Sequence, residues 1–395
     1  MSTSENCLRA TLAWLLAAIV ALTAQPSRAE RLPLLDRQLA VLLKVEKEGE
    51  GNVAASQAWQ HVAAAQAEAL PQVLSAIDRA GPLAANWIAT AAEQITERTR
   101  AAGERLPTAA LKSFVLDTAH APRARRLAFE WLRGDDEKTA EAIVPGFLHD
   151  PSPELRREAV AKILNEAATK KADQAGDDAL RALYRQALSG ACDLDQVKAV
   201  KAELEKLGEK VDLARHFGFL LNWKVIGPFD NSGGRGFDVA YPPEQEINLA
   251  ATYDGKPRDG GARRLEWRDT TTQDEFGFVD LNTVLVRENG VVGYAWTEFW
   301  SDRERPAELR FGRDNAAKIW LNGQLIEEHR VYHSGIDMDQ YTGRGTLQQG
   351  RNRILLKILQ NEQKEEWAQG WGFQLRVCDS TGQAIHPVDA ARSDQ

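Results

Sequence analysis

The residues most suited to chemistry in this sequence form an aromatic stripe between positions 294 and 300. In an extended strand, alternate side chains point to opposite faces. One face of this segment therefore carries Tyr294, Trp296, Glu298 and Trp300. Flat apolar rings beside a carboxylate suit a sugar, whose C–H face stacks on a ring while its hydroxyls form hydrogen bonds. The pattern predicts a candidate ligand-binding face made by these four residues.

Two other interpretations of the same stripe remain open. A large apolar patch usually marks an interface, so a neighbouring domain of the chain is one candidate for covering it. Burial in an ordinary core is the other. Exposure of the stripe to solvent would distinguish a binding face from both.

Metal-ligating residues occur at two places, and neither predicts a metal site. His329 and His333 would share one face of a helix, but they follow a predicted strand, and residues i and i+4 of extended chain lie about 13 Å apart. Asp337 and Asp339 offer oxygen ligands for calcium, but a calcium site would also be expected to have a second source of ligands and a glycine-shaped loop. We interpret them as turn residues and leave calcium binding open.

No catalytic residues are predicted. Hydrolysis of a glycosidic bond needs two carboxylates roughly 5 to 10 Å apart across a cleft, and nothing marks such a pair. The sequence has no Gly-x-Ser-x-Gly elbow and no phosphate loop. The glycine-rich stretch 232–236 precedes no helical pattern, and neither Cys192 nor Cys378 has a histidine partner in its context. We expect a protein without enzymatic activity and without a cofactor.

The first 29 residues have the pattern of a secretory signal peptide. Arg9 precedes an apolar run over residues 12–24, and small residues stand at Ser27 and Ala29. The run is too short to span a bilayer, which takes about 20 residues. The mature chain is therefore expected to be exported, to a periplasmic or extracellular space, and to be soluble there. The pairing of Cys192 and Cys378 cannot be derived from the sequence.

The formal net charge of −8 argues against a nucleic-acid partner and against attraction to an anionic membrane. From residue 30 to residue 217 the chain is rich in alanine, with apolar residues at helical spacing and breaks at Gly or Pro. This predicts an α-helical domain. It carries no catalytic constellation and would serve as a scaffold with a protein partner.

Two segments of that domain match each other 31 positions apart. They are Pro122-Arg-Ala-Arg-Arg-Leu-Ala-Phe and Pro153-Glu-Leu-Arg-Arg-Glu-Ala-Val. The turn before the second, Asp150-Pro-Ser-Pro, resembles the inter-helix turn of HEAT repeats, because Asp or Ser can cap the next helix and Pro fits its first turn. The resemblance implies a HEAT-like stack of helices. A plain helical bundle is the alternative.

From residue 218 to residue 387 the apolar period becomes two, and seven of the eleven Trp fall here. Asn322-Gly323, between apolar runs, predicts a tight hairpin. Turn-separated strands without helices between them predict an antiparallel β-sandwich. The candidate strands are Leu221–Phe229, Leu265–Thr271, Val292–Asp302, Glu308–Arg313, Lys318–Ile326, Arg353–Gln360 and Gly372–Cys378.

The succession of motifs in this region is similar to a known family. Trp223-Lys-Val-Ile-Gly-Pro, then Lys318-Ile-Trp-Leu-Asn-Gly, then Gly350-Arg-Asn-Arg-Ile-Leu-Leu-Lys follow in order. They resemble the galactose-binding-like jelly roll, in particular the sugar-binding domain of glycoside hydrolase family 2. The resemblance implies a sandwich that binds sugar or packs against a partner. The catalytic barrel of that family is missing.

Together these patterns predict a multidomain α and β protein. The expected order is a signal peptide (1–29), a HEAT-like α-helical array (30–217), a galactose-binding-like antiparallel β-sandwich or jelly roll (218–387) and a C-terminal tail (388–395). The expected function is non-catalytic binding or scaffolding at the cell envelope, with a polysaccharide or glycan as the favoured ligand. The alternatives are an adaptor between proteins that binds no small ligand, and an accessory part of a glycan-processing system.

Overall fold

The computed structural model describes residues 28–46, 49–174, 176–258 and 261–389. The predicted signal peptide lies outside these ranges except for its last two residues, and most of the predicted C-terminal tail lies outside them as well. The chain divides into two compact units, one ending at Lys162 and one beginning at Ile163. The boundary expected at 217/218 stays a prediction. No helix in the described ranges is long and apolar enough to cross a membrane.

The first unit is helical, as predicted. Its interior is built from small and branched apolar side chains such as Ala84, Ile88 and Ala92, which recur on one face of a long helix. Pro82 and Pro122 occupy the first turns of two helices, where the missing N–H costs nothing. The helices are α1 (Arg28–Leu42), α2 (Asn52–Ala63), α3 (Leu70–Ser75), α4 (Pro82–Ala101), α5 (Thr108–Leu116), α6 (Pro122–Asp135), α7 (Glu137–Ile143) and α8 (Pro153–Ala172), the last of which continues into the second unit.

A buried ion pair explains why the two matched segments share arginines. Arg125 donates from both terminal nitrogens to the two carboxylate oxygens of Asp150, each at 2.7 Å, and both side chains are almost fully buried. Arg156, the matching arginine of the second segment, donates to the Asp150 carbonyl oxygen at 2.8 and 3.0 Å. Both arginines thus bind the turn that precedes α8.

The second unit begins with helices and continues with strands. The helices are α9 (Asp177–Gly190), α10 (Leu194–Lys206) and α11 (Leu213–Phe217). They contact the β-structure directly, since Arg376 donates to the Phe217 carbonyl oxygen at 3.2 Å and the Phe217 and Phe219 rings meet edge to face at 6.2 Å. Strand structure therefore packs on helices that precede residue 218.

The predicted antiparallel β-sandwich is confirmed. One sheet has six strands in the order β4-β1-β6-β11-β8-β9, another has four in the order β10-β7-β12-β5, and β2 pairs with β3. The strands are β1 (Asn222–Asp230), β2 (Tyr253–Asp254), β3 (Arg264–Leu265), β4 (Arg268–Thr271), β5 (Val279–Asp280), β6 (Val291–Ser301), β7 (Arg305–Arg313), β8 (Ala317–Leu321), β9 (Gln324–His329), β10 (Tyr341–Leu347), β11 (Gly350–Gln360) and β12 (Gly372–Cys378). Two short helices, α12 (Pro242–Gln245) and α13 (Leu281–Val284), lie between strands.

The hairpin expected at Asn322-Gly323 joins β8 to β9. Asn322 has φ +53° and Gly323 has φ +82°. A two-residue hairpin turn requires positive φ at both central positions, which Asn and Gly accept most readily. The single candidate strand Lys318–Ile326 is accordingly two strands, and β10 has no counterpart among the predicted strands.

Side chains of β6 alternate between two apolar clusters. Ala295 and Phe299 face the four-stranded sheet and are fully buried in the interior of the sandwich. Tyr294 and Trp296 face the other way, into a second cluster with residues such as Phe229 and Leu355. The outer face of the six-stranded sheet is thus partly covered.

The cover is the connection between β1 and β4, residues 231–258 and 261–265, which we call the covering segment. Phe237 and Leu265 of this segment are buried in the outer cluster, and Tyr241, Ile247 and Tyr253 pack against it. The segment includes α12, β2 and β3. Neither adjoining domain nor partner is needed to bury this part of the stripe.

Candidate functional site

A groove of about 680 Å³ lies where the covering segment meets the outer face of the six-stranded sheet. Volumes of 300–1,000 Å³ are typical of ligand sites. Residues from β6, β8 and β11, the β8–β9 and β10–β11 turns and the covering segment line it. They are Pro243, Glu244, Gln245, Glu246, Ile247, Trp296, Trp320, Asn322, Gly323, Gln348, Arg351, Arg353 and Leu355.

The apolar part of the groove comes from three neighbouring strands. Leu355 of β11 pairs with Trp296 of β6 on one side and with Trp320 of β8 on the other. Leu355 and Trp296 are 8% and 7% exposed, whereas Trp320 is half-buried. The register therefore sets two indoles on either side of one aliphatic side chain.

One polar atom at this place is unsatisfied. The indole Nε1 of Trp296 is buried and has no hydrogen-bond partner among the residues that the structure describes. A buried N–H without an acceptor costs about 1–3 kcal/mol, so such groups are rare in folded proteins. Trp296 thus contributes apolar surface to the groove and carries a buried N–H that has no partner among the described residues.

Charged and amide side chains surround the apolar part. Arg351 Nη1 lies 3.3 Å from a carboxylate oxygen of Glu298, which is diagonal to it across the pair of β6 and β11. Arg353 is exposed, and its backbone N–H donates to Asn322 Oδ1 at 2.9 Å. Glu246 and Gln348 are also exposed. This mixture supplies donors and acceptors for hydroxyl groups, with no strong charge of one sign.

At the inner end of the groove a buried ion pair fixes the covering segment to the sheet. Lys357 Nζ, on a side chain with no solvent exposure, donates to Glu244 Oε1 and to the Val239 carbonyl oxygen, each at 2.7 Å. The Tyr294 hydroxyl also donates to Glu244 Oε1. Burial lowers the pKa of Lys357 despite the Glu244 carboxylate, and it raises the pKa of Tyr294 well above its usual range. Tyr294 is therefore a neutral donor.

The four predicted site residues fall in three different environments. Tyr294 is fully buried beneath the covering segment, and Trp296 is buried at the groove. Glu298 and Trp300 are half-buried farther along the same face, and neither lines the groove. The structure does not bring the four together as one open platform. Ligand binding by these residues stays a prediction.

Sequence reasoning missed Trp320 and Glu244. Trp320 lies in the stretch Lys318-Ile-Trp-Leu-Asn, whose alternation was visible and set it on the face opposite Ile319 and Leu321. The missing information was the order of the strands, which puts β8 beside β11. Glu244 had no such signal, because its role depends on a lysine 113 positions away.

Three of the four residues considered as metal ligands are engaged elsewhere, and the fourth, Asp337, is exposed. His329 Nε2 lies 2.9 Å from Glu327 Oε1, and the Asn361 side-chain nitrogen lies 2.8 Å from His333 Nε2. Asp339 accepts from Arg376 Nε at 2.6 Å and from Arg310 Nη1 at 2.9 Å. These two guanidinium groups neutralise the carboxylate and hold its pKa below the usual range. Within the described ranges no group of three or more metal-ligating side chains is close enough to hold an ion.

The cysteines are not joined to each other. Cys192 and Cys378 form no disulfide. Burial raises the pKa of the Cys378 thiol to about 11, and its Sγ lies 3.7 Å from the Glu308 carbonyl oxygen. A thiol with that pKa is a weak nucleophile at neutral pH.

No protein-family model and no curated protein matches the chain. Solved structures similar to parts of it include a family 35 carbohydrate-binding module from Clostridium thermocellum, with 17% identity, 22% of this chain and 72% of that chain covered and a TM-score of 0.18. A beta-glucosidase from Kluyveromyces marxianus has 12% identity, with 49% and 22% covered and a TM-score of 0.24. The PA14 domain of the antifreeze protein MpAFP has 12% identity, with 26% and 50% covered and a TM-score of 0.19. These likenesses are partial and distant, so the function has to be argued from the groove.

Proposed function

We propose that this chain is a non-catalytic carbohydrate-binding protein and that the groove beside Trp296 and Trp320 takes a segment of a polysaccharide. The observation that carries the proposal is the groove itself. Two indoles and Leu355 form an apolar surface, and exposed amide and charged groups surround it. Sugars need this combination, because their C–H faces are apolar and their hydroxyls require both donors and acceptors.

The chemistry of the nearby acids supports binding without catalysis. Glu244 accepts from the Lys357 ammonium group and from the Tyr294 hydroxyl, so its carboxylate is engaged in fixing the covering segment. Glu298 is paired with Arg351. General acid catalysis of glycoside hydrolysis needs a protonated carboxylic acid opposite a second carboxylate. Both acids are instead paired with basic side chains.

Export and a scaffold role complete the proposal. The signal-peptide pattern of residues 1–29 supports an exported protein that works at the cell envelope. The turn around Asp150 supports a HEAT-like arrangement of the helices, since Arg125 and Arg156 of matched segments both bind it. In this proposal the helices present the sandwich to its ligand and contact a protein partner.

The test is glycan binding by the chain that begins at residue 30. Binding to a panel of soluble polysaccharides is measured by titration calorimetry and affinity electrophoresis for the parent, Trp320→Ala and Trp367→Ala. Trp320 is half-buried at the groove, whereas Trp367 is 68% exposed and follows the far end of β11. An aromatic contact is worth about 1 kcal/mol, so Trp320→Ala should weaken binding about fivefold. The Trp367 variant should bind like the parent.

Two results would contradict the proposal. If the parent bound no polysaccharide in the panel, the adaptor between proteins would become the better hypothesis. If Trp367→Ala lost affinity and Trp320→Ala kept it, the ligand would bind at the loops after β11 and not in the groove. Hydrolysis of any bound polysaccharide, measured as the release of reducing ends, would refute the proposal that the protein is non-catalytic.

A further inference from the structure

A second concavity, of about 570 Å³, lies on the four-stranded side of the sandwich. It is lined by Arg303 and Arg305 at the β6–β7 turn, by Arg344 of β10, and by Asp379 and Ser380 after β12. We call it the arginine pocket. Nothing in the groove or in its proposed ligand accounts for it.

The acids at this pocket already have partners. One oxygen of Glu308 accepts from Arg344 Nε at 3.1 Å, and the other accepts from Arg310 at 2.8 and 2.9 Å. Asp379 Oδ1 accepts from the backbone N–H groups of Thr381 and Gln383 at 2.8 and 3.1 Å. Glu308 is thus occupied by donors of the protein at both oxygens, and Asp379 is occupied at one.

The arginines keep unused donors. Arg305 Nη2 lies 3.1 Å from Asp302 Oδ1, but its Nε is buried and has no partner among the described residues. Arg344 is 78% exposed, and only its Nε has an assigned contact within the described ranges. Arg303 is exposed at the turn that carries Arg305. Three guanidinium groups therefore line one pocket, and those of Arg305 and Arg344 have N–H groups without a partner among the described residues.

We propose that the arginine pocket binds an oxyanion, a carboxylate, sulfate or phosphate group, between Arg305 and Arg344. A planar guanidinium presents its N–H groups in a fork that matches such an anion, and charge-assisted hydrogen bonds of this kind are about twice as strong as neutral ones. The site is independent of the groove and does not need the groove to bind sugar.

The experiment titrates the chain that begins at residue 30 with sodium sulfate, sodium phosphate and sodium D-glucuronate at constant ionic strength. Heat of binding is measured for the parent, Arg305→Gln and Arg264→Gln. Arg264 is the matched control, because it carries the same charge, pairs with Asp254 on the surface at 2.9 Å and lies away from the pocket. The comparison of the three salts separates a free inorganic anion from the carboxylate of an acidic sugar.

The parent should bind at least one of the three anions with a saturable isotherm. Arg305→Gln should weaken that binding about tenfold, since one charge-assisted donor is lost. Arg264→Gln should leave it unchanged. Arg344→Gln repeats the test with an exposed side chain if Arg305→Gln fails to fold. No saturable binding by the parent, or equal weakening by Arg264→Gln, would overturn the proposal, whatever the outcome for polysaccharides in the groove.

Discussion

Replacement of Trp296 gives the sharpest test of how the outer face of the sheet is built. Trp296 is 7% exposed and packs in the outer cluster with Ile226, Tyr294 and Leu355. Truncation of a buried Trp to Ala costs about 3–5 kcal/mol, because apolar contacts are lost and a cavity remains. We expect Trp296→Ala to lower the free energy of unfolding of the second unit by that amount.

Trp296→Phe should behave differently. It keeps an aromatic ring in the cluster and removes an N–H that has no protein acceptor. The smaller ring loses some packing energy. Removal of the buried, unsatisfied N–H offsets this loss, because such a donor costs about 1–3 kcal/mol of stability. The free energy of unfolding of the Phe variant is therefore expected to lie within about 1.5 kcal/mol of that of the parent. If the N–H serves a bound sugar, the same variant binds polysaccharide more weakly at nearly unchanged stability.

The assay is urea unfolding followed by tryptophan fluorescence and circular dichroism, fitted as two transitions because the chain has two compact units. A loss of less than about 1 kcal/mol for Trp296→Ala would show that the cluster does not depend on this indole. Equal losses for the Phe and Ala variants would show that the Nε1 hydrogen has a protein acceptor, and the argument for an unused donor would be refuted.

Three further predictions concern other parts of the molecule. Asp150→Asn leaves the buried Arg125 guanidinium without its counter-ion, so calorimetry should show a loss of about 3–5 kcal/mol, and a loss under 1 kcal/mol would contradict the pairing. Burial lowers the pKa of His216, so below about pH 6.5 the unfolded chain takes up a proton that the folded chain does not. Stability should therefore fall as the pH drops through that window, and His216→Gln should flatten the curve of melting temperature against pH. The fragment 219–395 lacks the carbonyl that receives a buried arginine N–H, so it should melt below the fragment 176–395, and equal melting would show that α9 to α11 add nothing.

The sequence was sufficient to predict most of the strands. Period-two alternation marked β6 and β11, and Asn322-Gly323 marked the turn between β8 and β9. These signals are local, because they depend on side-chain direction along one strand and on the φ values that one turn requires. The covering segment had no such signal. Its short helix and two-residue strands are too brief for any period to show.

The candidate site was predicted only in part, because the signals in the sequence are local. Alternation correctly separated Tyr294 and Trp296 from Ala295 and Phe299. It did not show what lies over each face. Lys357 illustrates the limit, because a lysine on the outer face predicts exposure, yet its ammonium group is buried against Glu244 from the covering segment. Contacts between residues more than a hundred positions apart leave no local pattern.

The solvent exposure of the side chains increases along the outer face of β6, and this increase explains where the groove lies. Tyr294 is fully buried, Trp296 is 7% exposed, and Glu298 and Trp300 are half-buried. The covering segment, held by the buried pair of Glu244 and Lys357, lies over Tyr294. At Trp296 the segment and the sheet together line the groove. A ligand in the groove therefore contacts the sheet and the segment together. Since binding to the folded state stabilises it by mass action, a saturating polysaccharide should strengthen the attachment of the segment as well as the fold.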